Sequence, residues 1–190
     1  MRRRVLIGLV ISALIGAYFF DNIRGYYRFK ELCAQEKNRQ FINKVEPNVG
    51  WILDSGGELS KYDAYFVAAL PNVRFVRFQN YRDHQTYDVK YKGGDPGQDD
   101  SFEMLPSSSQ EKVVYQWKNV AENFPNELRT SRYGHQVIDL RTKKVIVSLT
   151  NIGYSTFDRR HTLLDAPSGN TCEWYEYLGK DSNKSLIFGN

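Results

Sequence analysis

A histidine flanked by carboxylates is the feature of this 190-residue chain that most suggests acid–base chemistry. His161 lies between Asp158 and Asp165, and Ser108, in a run of three serines, is a hydroxyl nucleophile within the same chain. Because the members of a catalytic triad need not be adjacent in sequence, Ser108, His161 and an aspartate are compatible with a hydrolase. His135 is a second candidate for the general base.

The spacings that normally accompany such chemistry are missing from the sequence. It contains no HExxH, no GxSxG and no phosphate-binding loop, and the spacing of Asp95, Asp99 and Asp100 does not match an EF-hand. We therefore expect no catalytic residue, no metal ligand and no cofactor. An envelope hydrolase that uses His161 or His135 is kept as an alternative.

The chain has two cysteines, Cys33 and Cys172, which are 139 residues apart. In an oxidising compartment an even pair at this separation predicts one disulfide, whereas two free buried thiols are the alternative. Closing so long a loop stabilises a fold by roughly 4 to 5 kcal/mol in the chain-entropy model. Neither cysteine belongs to a CxxC pair, so redox catalysis is not expected.

A basic start and an uncharged stretch open the sequence. Three arginines precede Val5–Phe20, sixteen residues that would cover about 24 Å of a hydrocarbon core about 30 Å thick. We expect residues 1–24 to be an uncleaved signal anchor that contacts the lipid bilayer through residues 5–20. A cleaved signal peptide is the alternative, although no candidate cleavage site has both of its small residues. The flanking charges are only weakly decisive, but a long following domain usually translocates, so we expect the amino terminus in the cytoplasm and residues 21–190 outside.

Small residues recur every fourth position within this stretch. Gly8, Ser12 and Gly16 would share one stripe of a helix, where a second helix can approach closely. The stripe predicts docking on a partner helix or a homodimer, and a chance recurrence of small residues is the alternative.

Composition limits the function of the rest of the chain. All 22 acidic residues and all but three of the 26 Lys and Arg residues follow Phe20, which leaves that part near a net charge of +1. A nucleic-acid-binding domain would be strongly basic, so no nucleic-acid partner is expected. With 41% apolar residues the chain can bury one core, and we expect residues 25–190 to form a single extracytoplasmic domain.

A helix is predicted between Ser55 and Pro71. Ser55 and Glu58 have the spacing of a capping box, and the helical pattern ends at the proline. Its apolar stripe is expected to face the core rather than a ligand; the stripe consists of Leu59, Tyr62, Phe66 and Ala69.

The remaining chain favours strands. Alternating patterns predict a hairpin of strands 73–81 and 87–92, a loop over 93–109, and a second pair of strands over 129–140 and 145–154. Residues 112–120 fit a helix or a strand, and their content of Val, Tyr and Trp favours the strand. The expected fold is α+β, with the transmembrane helix followed by a mainly antiparallel, meander-like sheet and one or two helices.

Three further features of the sequence occur together: Tyr27, Phe29, Leu32 and Cys33 after the apolar stretch, IDLRTKKVI over 138–146, and Cys172. In these features the chain resembles small uncharacterised single-span envelope proteins of Gram-negative bacteria. The resemblance implies a periplasmic domain held at the bacterial inner membrane and a paired cysteine, but it implies no activity.

A binding role is the function that these observations favour. We expect a non-enzymatic binding or accessory domain that engages an envelope protein, because an anchor and a sheet are predicted without catalytic machinery. An immunity or inhibitor protein against an envelope-acting toxin is a second alternative beside the hydrolase.

Overall fold

The computed structural model describes residues 2–54, 60–108, 110–124, 127, 129–155 and 169–172. Its helices are α1 (Arg2–Lys37), α2 (Ser60–Ala68) and a short 3-10 helix (Asp99–Ser101). The strands are β1 (Phe41–Ile42), β2 (Val49–Leu53), β3 (Val73–Gln79), β4 (Thr86–Tyr91), β5 (Phe102–Pro106), β6 (Val113–Asn123), β7 (Thr130–Asp139), β8 (Lys144–Ser155) and β9 (Gly169–Thr171).

The amino-terminal helix corrects the predicted membrane anchor. Within the described ranges, no helix combines the length and the apolar character needed to cross a bilayer. The uncharged stretch of α1 falls about 6 Å short of a typical hydrocarbon core, and the helix continues into a charged segment that ends at Lys37. The prediction of a single-pass inner-membrane protein with a periplasmic domain is therefore wrong, and so is the fold class built on a transmembrane helix.

The chain divides into two compact units. The first contains described residues within Met1–Arg39, Ala121–Tyr133 and Asn151–Tyr175, and the second contains those within Gln40–Val120, Gly134–Thr150 and Glu176–Asn190. The buried apolar residues of the first unit form a small cluster in which the rings of Phe29 and Tyr154 stack with their centroids 5.8 Å apart. The other buried members are Leu32, Ile152 and Cys172.

The sheet is mixed rather than a meander. Its strand order is β1-β8-β7-β6-β2-β3-β4-β5, with β9 paired to β8. The central strand β2 runs parallel to both β3 and β6, whereas β3–β4 and β4–β5 are antiparallel. Parallel neighbours need a crossover connection, and α2 supplies one between β2 and β3. The meander expectation fails at β2 for this reason.

Several strand predictions are confirmed. The hairpin forms from β3 and β4, with Arg77 opposite Asp88, and the ambiguous stretch around residues 112–120 is strand β6. The second predicted pair corresponds to β7 and β8. The predicted loop over 93–109 is wrong in part, because it contains the 3-10 helix and the edge strand β5.

Helix α2 packs on the core with the opposite face to the predicted one. Ala64, Val67 and Ala68 are buried and lie on one side of the helix. Tyr62 and Phe66, assigned to the core from the sequence, are instead 64% and 57% exposed. Small side chains let the helix lie close to the sheet, and Tyr62 and Phe66 occupy its outer face, whereas Tyr65 is buried. Ser55, Glu58 and Leu59 of the predicted capping box and stripe lie outside the described residues.

Candidate functional site

Trp117 lies at the centre of a group of side chains on the sheet. It belongs to β6, at the point where that strand pairs with β2. Its indole is buried, and its Nε1 donates a hydrogen bond to Oδ1 of Asn119 at 3.1 Å. The His135 ring stacks on it with centroids 4.2 Å apart, and the Phe66 ring meets it edge-on at 6.1 Å. An aromatic contact with Trp117 therefore holds the Phe66 ring on its inner side.

A polar contact fixes α2 over the same strand. Asn119 Nδ2 donates a hydrogen bond to Oδ2 of Asp63 at 2.9 Å. The stacking of Tyr65 on Phe102, with centroids 4.1 Å apart, holds the helix from its other side. We call the outward residues Tyr62, Asp63 and Phe66 the α2 surface. Two aromatic rings and one carboxylate are thus presented on a helix that is held at several points.

His135 is packed as an aromatic residue rather than placed as a base. Burial lowers the pKa of His135 to about 4, so the imidazole is neutral at pH 7. A base with that pKa accepts a proton poorly near neutrality. Among the described residues, no hydroxyl or thiol is hydrogen-bonded to its ring. His161, Asp158 and Asp165 lie outside the described residues, so the proposed triad is not tested.

A polar cleft of about 580 Å³ lies at the amino ends of β2, β3 and β6. Two asparagines with left-handed backbones, Asn48 (φ 56°) and Asn72 (φ 65°), precede the parallel strands β2 and β3. The Asn48 N–H donates to the Asn72 carbonyl at 2.6 Å, and the next residues, Val49 and Val73, are paired in register. Left-handed backbone is tolerated by asparagine, so both turns are specified by residue type.

Gly50 permits the close approach of the three strands at this cleft. A Cβ at this position would overlap the Phe75 ring and lie 2.8 Å from the Lys112 carbonyl oxygen. The register shifts on both sides of β2 at the same residue. The absence of a side chain therefore lets the backbone of β2 fit between its neighbours.

An ion pair anchors one wall of the cleft. The Arg77 guanidinium donates to both carboxylate oxygens of Asp88, at 2.7 and 2.9 Å, and also to the Ser108 carbonyl at 2.7 Å. The hydrogen bond to Asp88 is the main cause that raises the pKa of Arg77. Ser108, expected as a candidate nucleophile, thus belongs to a wall segment, and its hydroxyl accepts the Gln110 N–H at 3.3 Å.

The predicted disulfide is confirmed. Cys33 and Cys172 are bonded, with Cα atoms 5.6 Å apart. The Asn151 side chain, which is fully buried, supports Cys172, because its Oδ1 accepts the backbone N–H groups of Cys172 at 3.2 Å and of Ile152 at 2.8 Å. A buried amide therefore positions the half of the disulfide that follows β9.

The remaining candidate residues are dispersed. Gly8, Ser12 and Gly16 lie on α1, and apart from the adjoining helix backbone no described atom comes within 4 Å of a Cβ built at either glycine, so the docking stripe stays a prediction. Asp99 pairs with Lys61 at 2.7 Å. In the part of the chain that the structure describes, no group of three His, Cys, Asp or Glu residues has the geometry to hold a metal ion.

Two features escaped the sequence reasoning. The α2 surface was assigned to the core, although Ala64, Val67 and Ala68 offered a second apolar stripe made of small residues. The cleft was signalled by a repeated Pro-Asn-Val, at 47–49 and 71–73, which precedes each of the two parallel strands. Comparison with known proteins gave no match to a family model, to a curated protein or to a solved structure.

Proposed function

We propose that this chain is a non-enzymatic binding domain that engages a partner protein through the α2 surface. The observation that carries the proposal is the outward placement of Tyr62 and Phe66, one helical turn apart, on a helix whose other face is buried. A helix on a sheet normally turns polar residues to solvent. Exposed aromatic pairs of this kind are typical of protein-binding surfaces.

The support beneath Phe66 favours recognition over incidental exposure. Its ring is held by Trp117, and Trp117 is itself fixed by Asn119 and by the stack with His135. A side chain that is already ordered loses little conformational entropy when a partner covers it. Such pre-ordered aromatic residues are frequent energetic hot spots.

The negative charge on the α2 surface indicates which chemical groups a partner would need. Asp63 follows Tyr62 on α2, to one side of the aromatic pair, and its carboxylate accepts one hydrogen bond from Asn119. The complementary protein therefore offers an apolar groove for Phe66 and Tyr62, with a Lys or Arg beside it. The hydrolase and the immunity or inhibitor role gain no supporting contact from the described residues and are not carried forward.

Site-specific photocrosslinking tests the proposal. A benzoylphenylalanine in place of Tyr62 is expected to give a discrete protein adduct in cells, and Phe66→Asp in the same chain is expected to abolish it. Tyr81 is the matched control, because it is an exposed tyrosine, 51% accessible, in the β3–β4 turn. Equal adducts from positions 62 and 81, or an adduct that persists with Phe66→Asp, would argue against the α2 surface.

A further inference from the structure

We propose that the polar cleft binds an α-carboxylate together with its neighbouring N–H group, as these occur at a peptide carboxyl terminus or in a free amino acid. The cleft does not overlap the α2 surface, and the inference is independent of the proposed protein partner. Its volume of about 580 Å³ falls within the range of small-ligand sites.

Arg74 is the first of two cationic residues that would bind the carboxylate of the ligand. Its side chain lines the cleft and is 52% exposed. Within the described chain its hydrogen bonding is confined to one nitrogen, which donates to Oε1 of Glu111 at 3.2 Å. The other guanidinium N–H groups can therefore bind both oxygens of a carboxylate in the planar arrangement that arginine favours.

Lys112 supplies a second positive charge on the same cleft. No described residue forms a hydrogen bond or an ion pair with its ammonium group. Lysine acts as a mobile point charge, so it can approach a carboxylate that Arg74 has already oriented.

Glu111 gives the site its selectivity. Together with Arg74 and Lys112 it leaves one net positive charge among the charged residues of the cleft. A monoanionic carboxylate neutralises that single charge, whereas a dianionic phosphate would leave an excess negative charge beside Glu111. The same carboxylate is an acceptor for the amide or ammonium N–H next to a ligand's carboxylate.

The surrounding structure keeps these groups in place. Arg77 holds Ser108 on the wall, and the Asn48–Asn72 backbone hydrogen bond closes the rim. Part of the lining lies on β2, β3 and the start of β6, whereas Ser108 and Glu111 lie in the connection between β5 and β6. Because hydrogen bonds from Arg77 and Arg74 of β3 hold these two residues, a ligand meets a largely preformed site.

Titration of the purified chain with Ala-Ala-Ala, with its carboxyl-terminal amide, with free alanine and with inorganic phosphate tests the inference. Calorimetry gives the affinities, and amide chemical shifts of Asn48, Gly50 and Lys112 give the location. We expect the tripeptide to bind, the amide and phosphate to bind at least tenfold more weakly, and Arg74→Ala to weaken tripeptide binding roughly tenfold or more. Arg74→Lys is expected to lose most of the same affinity, because the planar donor pair is lost.

The controls separate this site from the α2 surface. Arg82→Ala, which removes an exposed cation in the β3–β4 turn, and Tyr62→Ala are expected to leave tripeptide affinity unchanged. Binding of free alanine as tight as that of the tripeptide would support the carboxylate site and identify a free amino acid as its ligand. Equal binding of the acid and the amide, equal binding of phosphate, no binding at all, or shifts confined to residues outside the cleft would each overturn the inference.

Discussion

The disulfide allows a stability prediction whose size follows from its position in the chain. Cys33 and Cys172 close a loop with a sequence separation of 139 residues. In the chain-entropy model, a loop of this length restricts the unfolded chain enough to contribute about 5 kcal/mol at 25 °C. Since measured values commonly fall below that limit, we expect the Cys33→Ser/Cys172→Ser double variant to lose about 2 to 5 kcal/mol of unfolding free energy.

The assay is guanidinium denaturation of the oxidised chain, the reduced chain and the double variant, followed by circular dichroism and by tryptophan fluorescence. Trp51 and Trp117 belong to the second unit, whereas the disulfide lies in the first. The third tryptophan, Trp174, follows Cys172 by two residues in the sequence and is replaced by Phe in every chain, so agreement between the two probes tests whether unfolding is cooperative. The reduced wild type and the double variant should have matching midpoints. An unfolding free energy of the double variant within about 0.5 kcal/mol of that of the oxidised chain would refute the entropic argument, since that is the size of an ordinary surface substitution.

Three further predictions concern the second unit. Arg77→Ala leaves the buried Asp88 carboxylate without its partner, and we expect the free energy of unfolding in urea to fall by about 3 to 5 kcal/mol. The double variant Arg77→Met/Asp88→Leu should recover most of that stability. Equal losses in the single and double variants would contradict the argument. Because the pKa of His135 is lowered to about 4, its neutral form stabilises the fold above about pH 6.5, and roughly 2 to 3 kcal/mol should be lost as the pH falls from 6.5 to 4. His135→Phe should flatten that pH dependence, and an unchanged profile would show that another group causes it. Gly50→Ala forces a Cβ against the Phe75 ring and should lower the melting temperature by several degrees. Gly169→Ala is the tolerated comparison, because a Cβ there has no contact within 4 Å and the backbone is not left-handed.

Local sequence patterns predicted the antiparallel strands well, because the alternation and the short turn that define such a pair lie within one short stretch of sequence. Alternation in β3 and β4 fixes which side chains face the core, and the short turn between them brings Arg77 opposite Asp88. The same reasoning applies to β7 and β8. Strand β6 was also predicted, from its β-branched and aromatic content.

The parallel strand β2 shows why the sheet topology was missed. Nothing in its five residues indicates whether it pairs parallel or antiparallel to its neighbours. Its partners Val73 and Val113 are distant in sequence, so tertiary packing determines its position between β3 and β6. Strand β5 was hidden for a related reason, because it lies in a segment rich in Gly, Pro and Ser, and pairing with β4 determines its conformation.

Helix α2 and the amino-terminal helix show the limits of apolar patterning. Two stripes on α2 satisfied helical periodicity, and the one that packs consists of small residues rather than the large aromatic residues Tyr62 and Phe66. In α1, the absence of charge over Val5–Phe20 was taken as a membrane span, although that segment alone is shorter than a hydrocarbon core. Periodicity indicated α2 and the uncharged stretch indicated α1, but neither pattern showed what each helix contacts.

The affinity of the chain for the protein crosslinked at position 62 tests the proposed binding role most directly. Dissociation constants would be measured for the wild type and for Phe66→Ala, Tyr62→Ala and the control Tyr81→Ala, each with an unchanged melting temperature. A buried aromatic hot spot is worth about 2 kcal/mol or more, so we expect Phe66→Ala to weaken binding roughly 30-fold and Tyr81→Ala to leave it unchanged. A change of less than about twofold for both Phe66→Ala and Tyr62→Ala would contradict the assignment of the α2 surface as the binding site.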